Sequence, residues 1–524
     1  MRSPATRRIE DVQMLKSRQF REDAGPLAHP VRPESFVEIN NFYTATVYEK
    51  GAEVIRMLRL LVGHAAYDAA VQLYFDRHDG QACTIEDWLQ VFTDTSGRDL
   101  AQFKRWYSQA GTPQVTVAEQ FENGTYTLTL TQNTKPTPGQ DDKQPLLIPV
   151  ELGLLSSDGT ELVASHVVEL DSATQSYCYK NLPERPIASL FRGLSAPVVV
   201  HHDLSDTALL TLMRHDTDAY NRWDAGRILA RKALTNNVLT GGKFPADIIA
   251  ALMDTANDSR LDPAFRALCL GLPSQDDIAQ TLFQSGHAPD PAVIYQSRNA
   301  MLDQIAAAGA SHWRGLYDDH QTPGPYTTDA AACGKRALAN AAMAMITRLD
   351  GGDLAQTQYD GASNMTNQLA ALGQLVRSGR GANALAAFYD QWRHEPLVID
   401  KWFSLQITQS PPDVAVGLAH DLATHPDFTL RNPNRFRALV AGFASTPAAF
   451  HHPSGAGYDF VAQKLIELDA LNPQLTARVS TVFETWPRYG AGLQAKMKAA
   501  LTRIADQPTL SRDTREMVTR LLQA

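Results

Sequence analysis

Between Ile9 and Gly111 the apolar positions follow a helical rhythm. Residues 52–62 are mostly apolar, and residues 66–74 and 85–92 repeat apolar side chains at three- and four-residue spacing. Thr84 stands before the last of these with Asp87 three residues on, a short version of a capping box. The helical region closes at Trp106-Tyr107-Ser108-Gln109-Ala110-Gly111-Thr112-Pro113, where Gly and then Pro stop a helix. Beyond Pro113 the period changes to two, most clearly in Tyr126-Thr127-Leu128-Thr129-Leu130-Thr131. Residues 146–155, 162–170 and 197–201 read as further strands, with Ser157-Asp158-Gly159 as hairpin turn chemistry. From Asp206 to Ala524 the helical period returns and persists. Two helix starts are well marked there, Asn432-Pro433 and Asn472-Pro473, each with a capping Asn and a Pro whose missing N–H costs nothing at the first helical position.

The pattern therefore predicts a mostly α protein with a central all-β domain. Residues 1–111 are helical, 112–205 form a β-sandwich, and 206–524 form an α-helical domain of superhelical type, although no strict repeat is visible. A length of 524 residues agrees with about three domains at roughly 150 residues each.

Charge narrows the partners. With 48 Lys and Arg against 57 Asp and Glu, the net charge is −9, which argues against nucleic acid and against a polybasic membrane surface. A peptide or small polar substrate fits better. Cys83, Cys178, Cys269 and Cys333 have no C-x-x-C spacing, so neither a disulfide framework nor a thiolate metal site is indicated. The first residues have no apolar signal core, and no apolar run reaches about 18 residues, so the expectation is a cytoplasmic chain.

The run Asn40-Asn41-Phe42-Tyr43-Thr44-Ala45-Thr46-Val47-Tyr48-Glu49-Lys50-Gly51-Ala52-Glu53-Val54 resembles the tyrosine segment of zinc aminopeptidases of the aminopeptidase N family. Later phrases resemble the bacterial alanyl aminopeptidase branch in the same order: Arg105 to Pro113, Ser363-Asn364-Met365-Thr366, Asp400-Lys401-Trp402-Phe403 and Asn432-Pro433-Asn434-Arg435-Phe436-Arg437. The resemblance implies that residues 1–111 are the helical remainder of a thermolysin-like catalytic domain, and that the C-terminal helical domain covers the active site. It also implies release of N-terminal amino acids from peptides by zinc-activated water, with a Glu as general base.

By the same match Tyr48 is the catalytic tyrosine, whose phenol would donate to the oxyanion forming at the scissile carbonyl. Tyr43 would line the pocket for the substrate's first side chain, and Glu49 the far side of the cleft. Gln474 and Arg478 match positions that reach the substrate cavity, with Arg437 in a similar role. Arg435 and Arg437 stand near a helix N-terminus against the dipole, which hints at a purpose beyond solvation.

The family's metal ligands are missing from the sequence. There is no His-Glu-x-x-His, and the doublets His201-His202 and His451-His452 lack the i, i+4 spacing that puts two imidazoles on one helix face, so both are expected at the surface or in loops. The amine-anchoring Gly-x-Met-Glu-Asn type loop is also absent. The chain is thus expected to need a missing N-terminal catalytic part as partner and to be inactive alone. The alternative is a non-catalytic helical scaffold that binds peptides or a protein partner.

Overall fold

The computed structural model describes residues 3–25, 28–34 and 42–523. They form two compact units, residues 2–228 and 229–524.

In the first unit, helix Pro4–Met14 passes into a π-helical turn, Leu15–Gln19, and a short helix, Phe20–Asp23. A second π-helical turn, Thr46–Lys50, opens directly into helix Gly51–Val62. Gly63, at φ +80°, turns the chain sharply into helix His64–His78, a backbone conformation that a side chain would strain. Helix Ile85–Ser96 carries the expected capping box: Thr84 Oγ1 accepts from the Asp87 amide, and Asp87 Oδ2 accepts from the Thr84 amide. Val54, Met57, Leu58, Val91, Phe92 and Trp106 are fully buried along the apolar stripes read from the sequence.

Seven strands follow: β1 (Gln114–Glu122), β2 (Thr125–Asn133), β3 (Ile148–Leu155), β4 (Glu161–Leu170), β5 (Thr174–Tyr179), β6 (Ile187–Leu190) and β7 (Val199–His201). They form a four-stranded sheet, β5-β2-β1-β7, and a three-stranded sheet, β4-β3-β6. All pairings are antiparallel except β1 with β7. The alternation in β2 is realised as expected. Tyr126, Leu128 and Leu130 point into the core, while Thr127, Thr129 and Thr131 face Cys178, Ser176 and Thr174 of β5 in a polar ladder. Central β3 is buried along nearly its whole length, which is why its sequence reads as an apolar run rather than an alternation. The helical and sheet cores are continuous, and the Trp106 indole donates 2.8 Å to the Leu147 carbonyl at their junction.

The second unit is helical throughout its described residues, with helices as long as Pro291–Ala308 and Ala330–Asp350. The caps expected at Asn432 and Asn472 are present: Asn432 Oδ1 accepts from the amides of Asn434 and Arg435, and Asn472 Oδ1 from Leu475.

Arg435 is 5% exposed and ion-paired with Asp400 at 2.5 Å. His451 stands in the turn after helix Pro447–Phe450, as a loop residue, but is equally buried rather than at the surface: its Nδ1 lies 2.9 Å from the Tyr458 hydroxyl, and its ring sits 4.1 Å from that of Tyr489. In the other doublet His201 is exposed at the end of β7, while His202 turns its Nε2 to Glu119 at 3.1 Å.

The burial of His451 has a consequence for stability. Desolvation, against the opposing pull of Asp276 beside it, pushes the imidazole down to about 3. An unfolded imidazole titrates near 6.5, so between those values the unfolded chain binds a proton that the folded chain does not. Stability must therefore fall as pH drops below about 6.5, by about 2 kcal/mol at pH 5 from this group alone. Urea unfolding of the chain at pH 7 and pH 5 measures this, and His451→Gln should remove that share of the difference. An unchanged pH dependence in the variant would contradict the assignment.

Candidate active site around Tyr48

Tyr48 stands on the π-helical turn Thr46–Lys50, where an extra residue per turn bulges the backbone outward, a feature frequent at functional sites. Its ring is 58% exposed and stacks on the equally exposed Tyr43, with centroids 6.1 Å apart and planes 25° from parallel. Phe42 meets Tyr43 edge-on at 5.9 Å. The Tyr48 hydroxyl has no hydrogen-bond partner among the described residues. Asn40 and Asn41, which open the same phrase, lie outside the described residues.

Behind this exposed face the turn is fastened to buried polar groups. Thr46 is fully buried and Lys50 is 1% exposed. The Glu22 carboxylate accepts from the amide of Thr46 at 2.9 Å and of Ala45 at 3.3 Å. Thr44 Oγ1 accepts from the amide of Val47, and the Gln19 side-chain amide donates to Thr46 Oγ1. Lys50 Nζ donates to Asp23 Oδ2 at 2.8 Å and to the Gly111 carbonyl at 2.9 Å, and Thr112 Oγ1 donates to the same Asp23 oxygen. One turn further on, Glu53 holds Arg8 in a two-pronged pair at 2.6 and 2.7 Å, and Arg8 Nε reaches the Gly193 carbonyl. Burial pushes the Glu22 carboxyl up, but His29, with Nε2 at 3.6 Å, and the amide and hydroxyl of Thr46 outweigh it and hold the carboxyl at about 2. Glu22 is therefore an anion throughout the neutral range.

Two of the residues singled out from the sequence, Tyr43 and Tyr48, come together as a stacked pair. Glu49, between Tyr48 and Lys50, is half-buried. Arg437, Gln474 and Arg478 belong to the second unit. Arg437 is exposed on another π-helical turn, Arg437–Ala441, and donates within its own helix to the Pro433 carbonyl and Asn434 Oδ1. Gln474 and Arg478 are exposed one turn apart on helix Pro473–Ser480. Sequence reading passed over Glu22, Asp23 and Lys50. The one available signal was that Lys50 and Glu53 occupy the stripe continued by Met57, a face otherwise apolar.

No group of three or more His, Cys, Asp or Glu side chains among the described residues is arranged to hold a metal ion. The donor set here thus does not fit zinc.

Models of three families match in succession: a peptidase family M1 domain at residues 3–107, a domain of unknown function with an Ig-like fold at 111–203, and a domain of unknown function with ARM repeats at 206–523. The last alone spans more than half of the chain. Aminopeptidase N of Caulobacter vibrioides is 44% identical over 100% of this chain, and that of Escherichia coli is 38% identical over 99%. The chain belongs to the aminopeptidase N family. It spans 61% of the length of each of those two relatives. The crystal structure of Legionella pneumophila aminopeptidase A in complex with aspartic acid superposes on 98% of this chain with a TM-score of 0.80 and 28% identity, using 62% of its own length. The three models follow the order of the helical segment, the two-sheet domain and the long helical region of this chain. No described helix is long and apolar enough to cross a membrane.

Proposed function

We propose that these 524 residues are part of a zinc-dependent aminopeptidase that releases N-terminal amino acids from peptides, with Tyr48 as the donor that stabilises the oxyanion. The observation behind this reading is the Tyr48 phenol itself, exposed and without a hydrogen-bond partner among the described residues, on a turn whose backbone is fastened from below. A phenol is neutral at pH 7 and can donate without rearranging, which suits a charge that appears only in the transition state. Tyr43, stacked on it, forms an apolar wall for the first side chain of the substrate, with Glu49 beside it. Arg437, Gln474 and Arg478 are assigned to substrate contacts by the sequence match alone. Zinc, its ligands and the general base come from a part of the enzyme outside these residues, since the His-Glu-x-x-His pattern is absent from the sequence. A cytoplasmic setting belongs to the same proposal.

The test is reconstitution. The chain alone should not hydrolyse an alanyl anilide, whereas the chain joined to, or co-expressed with, the zinc-binding portion of an aminopeptidase N should do so in a zinc-dependent manner. Peptide binding without hydrolysis in the joined protein would favour a non-catalytic helical scaffold instead.

A further inference from the structure

We propose that Glu22 and Asp23, two consecutive carboxylates on one short helix, are positioning residues for Tyr48 and grip both ends of the turn that carries it. This rests on the catalytic reading of Tyr48 given above.

The amides at the start of any helix have no partner within it and need an acceptor from elsewhere. A residue at the cap usually provides one, and Thr44 does so here for Val47. The amides of Ala45 and Thr46 are instead taken by Glu22, which comes from a different helix. At the other end of the turn Lys50 Nζ is held by Asp23, with both side chains 1% exposed. Because Glu22 and Asp23 are neighbours in Phe20–Asp23, the two ends of the Tyr48 turn are tied to one rigid pair of residues.

A π-helical turn needs such support, since its geometry is uncommon and is found mostly as single turns. Stability by itself does not call for this arrangement. A fully buried ion pair is often matched or exceeded by apolar residues of similar volume, because desolvating two charges offsets their attraction. Charged groups differ from apolar ones in direction: Lys50 must point at both Asp23 and the Gly111 carbonyl, which fixes the rotation of the turn about its axis. Gly111 and Thr112 also begin the path into β1. The Gln109-Ala110-Gly111-Thr112-Pro113 and Tyr48-Glu49-Lys50-Gly51 phrases, 61 residues apart at Lys50 and Gly111, thus meet at this one ion pair.

The experiment is a double-mutant cycle in the reconstituted enzyme with Glu22→Ala, Tyr48→Phe and the pair. A reacting group displaced by about 1 Å can lose up to about 10²-fold in rate. Glu22→Ala is therefore expected to lower kcat about 10-fold or more with KM within about twofold, and to cause almost no further loss once Tyr48 is Phe. Equal losses in both backgrounds would overturn the positioning role while leaving Tyr48 in place. A silent Tyr48→Phe would remove the catalytic reading and this proposal together. The 524-residue chain gives a second readout, independent of activity and of whether Glu22→Ala assembles. In Glu22→Gln, amide hydrogen exchange should accelerate at residues 45–47 and stay unchanged in β2. Unchanged exchange at 45–47 would equally overturn the proposal.

Discussion

Tyr48→Phe in the reconstituted enzyme is expected to lower kcat by about 10²- to 10³-fold, the range found for loss of one oxyanion donor. KM should stay within about twofold, because the hydroxyl makes its contact with charge that develops only in the transition state. The ring itself is retained, so its stacking on Tyr43 survives, and the change isolates the O–H group. The exposed hydroxyl has no structural partner to lose among the described residues. The melting temperature of the chain should therefore move little, which separates this variant from one that merely damages the fold. Steady-state kinetics on an aminoacyl anilide at pH 7, set beside thermal unfolding, checks both halves of the expectation. A kcat within twofold of the parent would refute the oxyanion role.

The same residue shows how far the sequence reaches. That Tyr48 stands where an apolar helix begins was legible, because residues 52–62 are mostly apolar and Gly51 marks the entry. That the turn is π-helical was not, since one extra residue per turn leaves no periodic trace over five residues. Its partners were hidden for a different reason. Glu22 and Asp23 sit more than 20 residues upstream on an unrelated helix, and no local spacing ties a carboxylate there to an amide at Thr46. Caps such as Thr84, Asn432 and Asn472 were readable because acceptor and donor lie within three residues of each other.

In the β-sandwich, β2 was read from its strict alternation. Strands β1, β5 and β6 were not separately delimited. Only Val115 of β1 is fully buried, no residue of β5 is, and β6 has four residues, too few for a period to declare itself. The burial of His451 and Arg435 was not legible for a related reason. Polar residues are buried where distant groups satisfy them, and those groups, Tyr458 for one and Asp400 for the other, come from other helices.

Arg435→Leu is expected to destabilise the helical unit by about 3–5 kcal/mol, the cost of breaking a buried pair from one side. The guanidinium meets Asp400 through Nε at 2.5 Å, donates to the Asp427 carbonyl at 2.5 Å and to the Pro396 carbonyl at 3.3 Å, and lies 4.9 Å from the centre of the Phe403 ring. Leucine fills part of the volume but leaves Asp400, only 13% exposed, without its counter-ion. Adding Asp400→Asn should therefore recover part of the loss, since a neutral amide is far cheaper to bury than a lone carboxylate. Arg437, two residues on and exposed, gives the contrast: Arg437→Ala should change stability by no more than about 0.5 kcal/mol, because its contacts stay within its own helix. Urea unfolding followed by circular dichroism distinguishes the two. Equal effects at both positions would mean that the buried pair with Asp400 does not anchor this helix start, and that the backbone cap from Asn432 suffices to hold it.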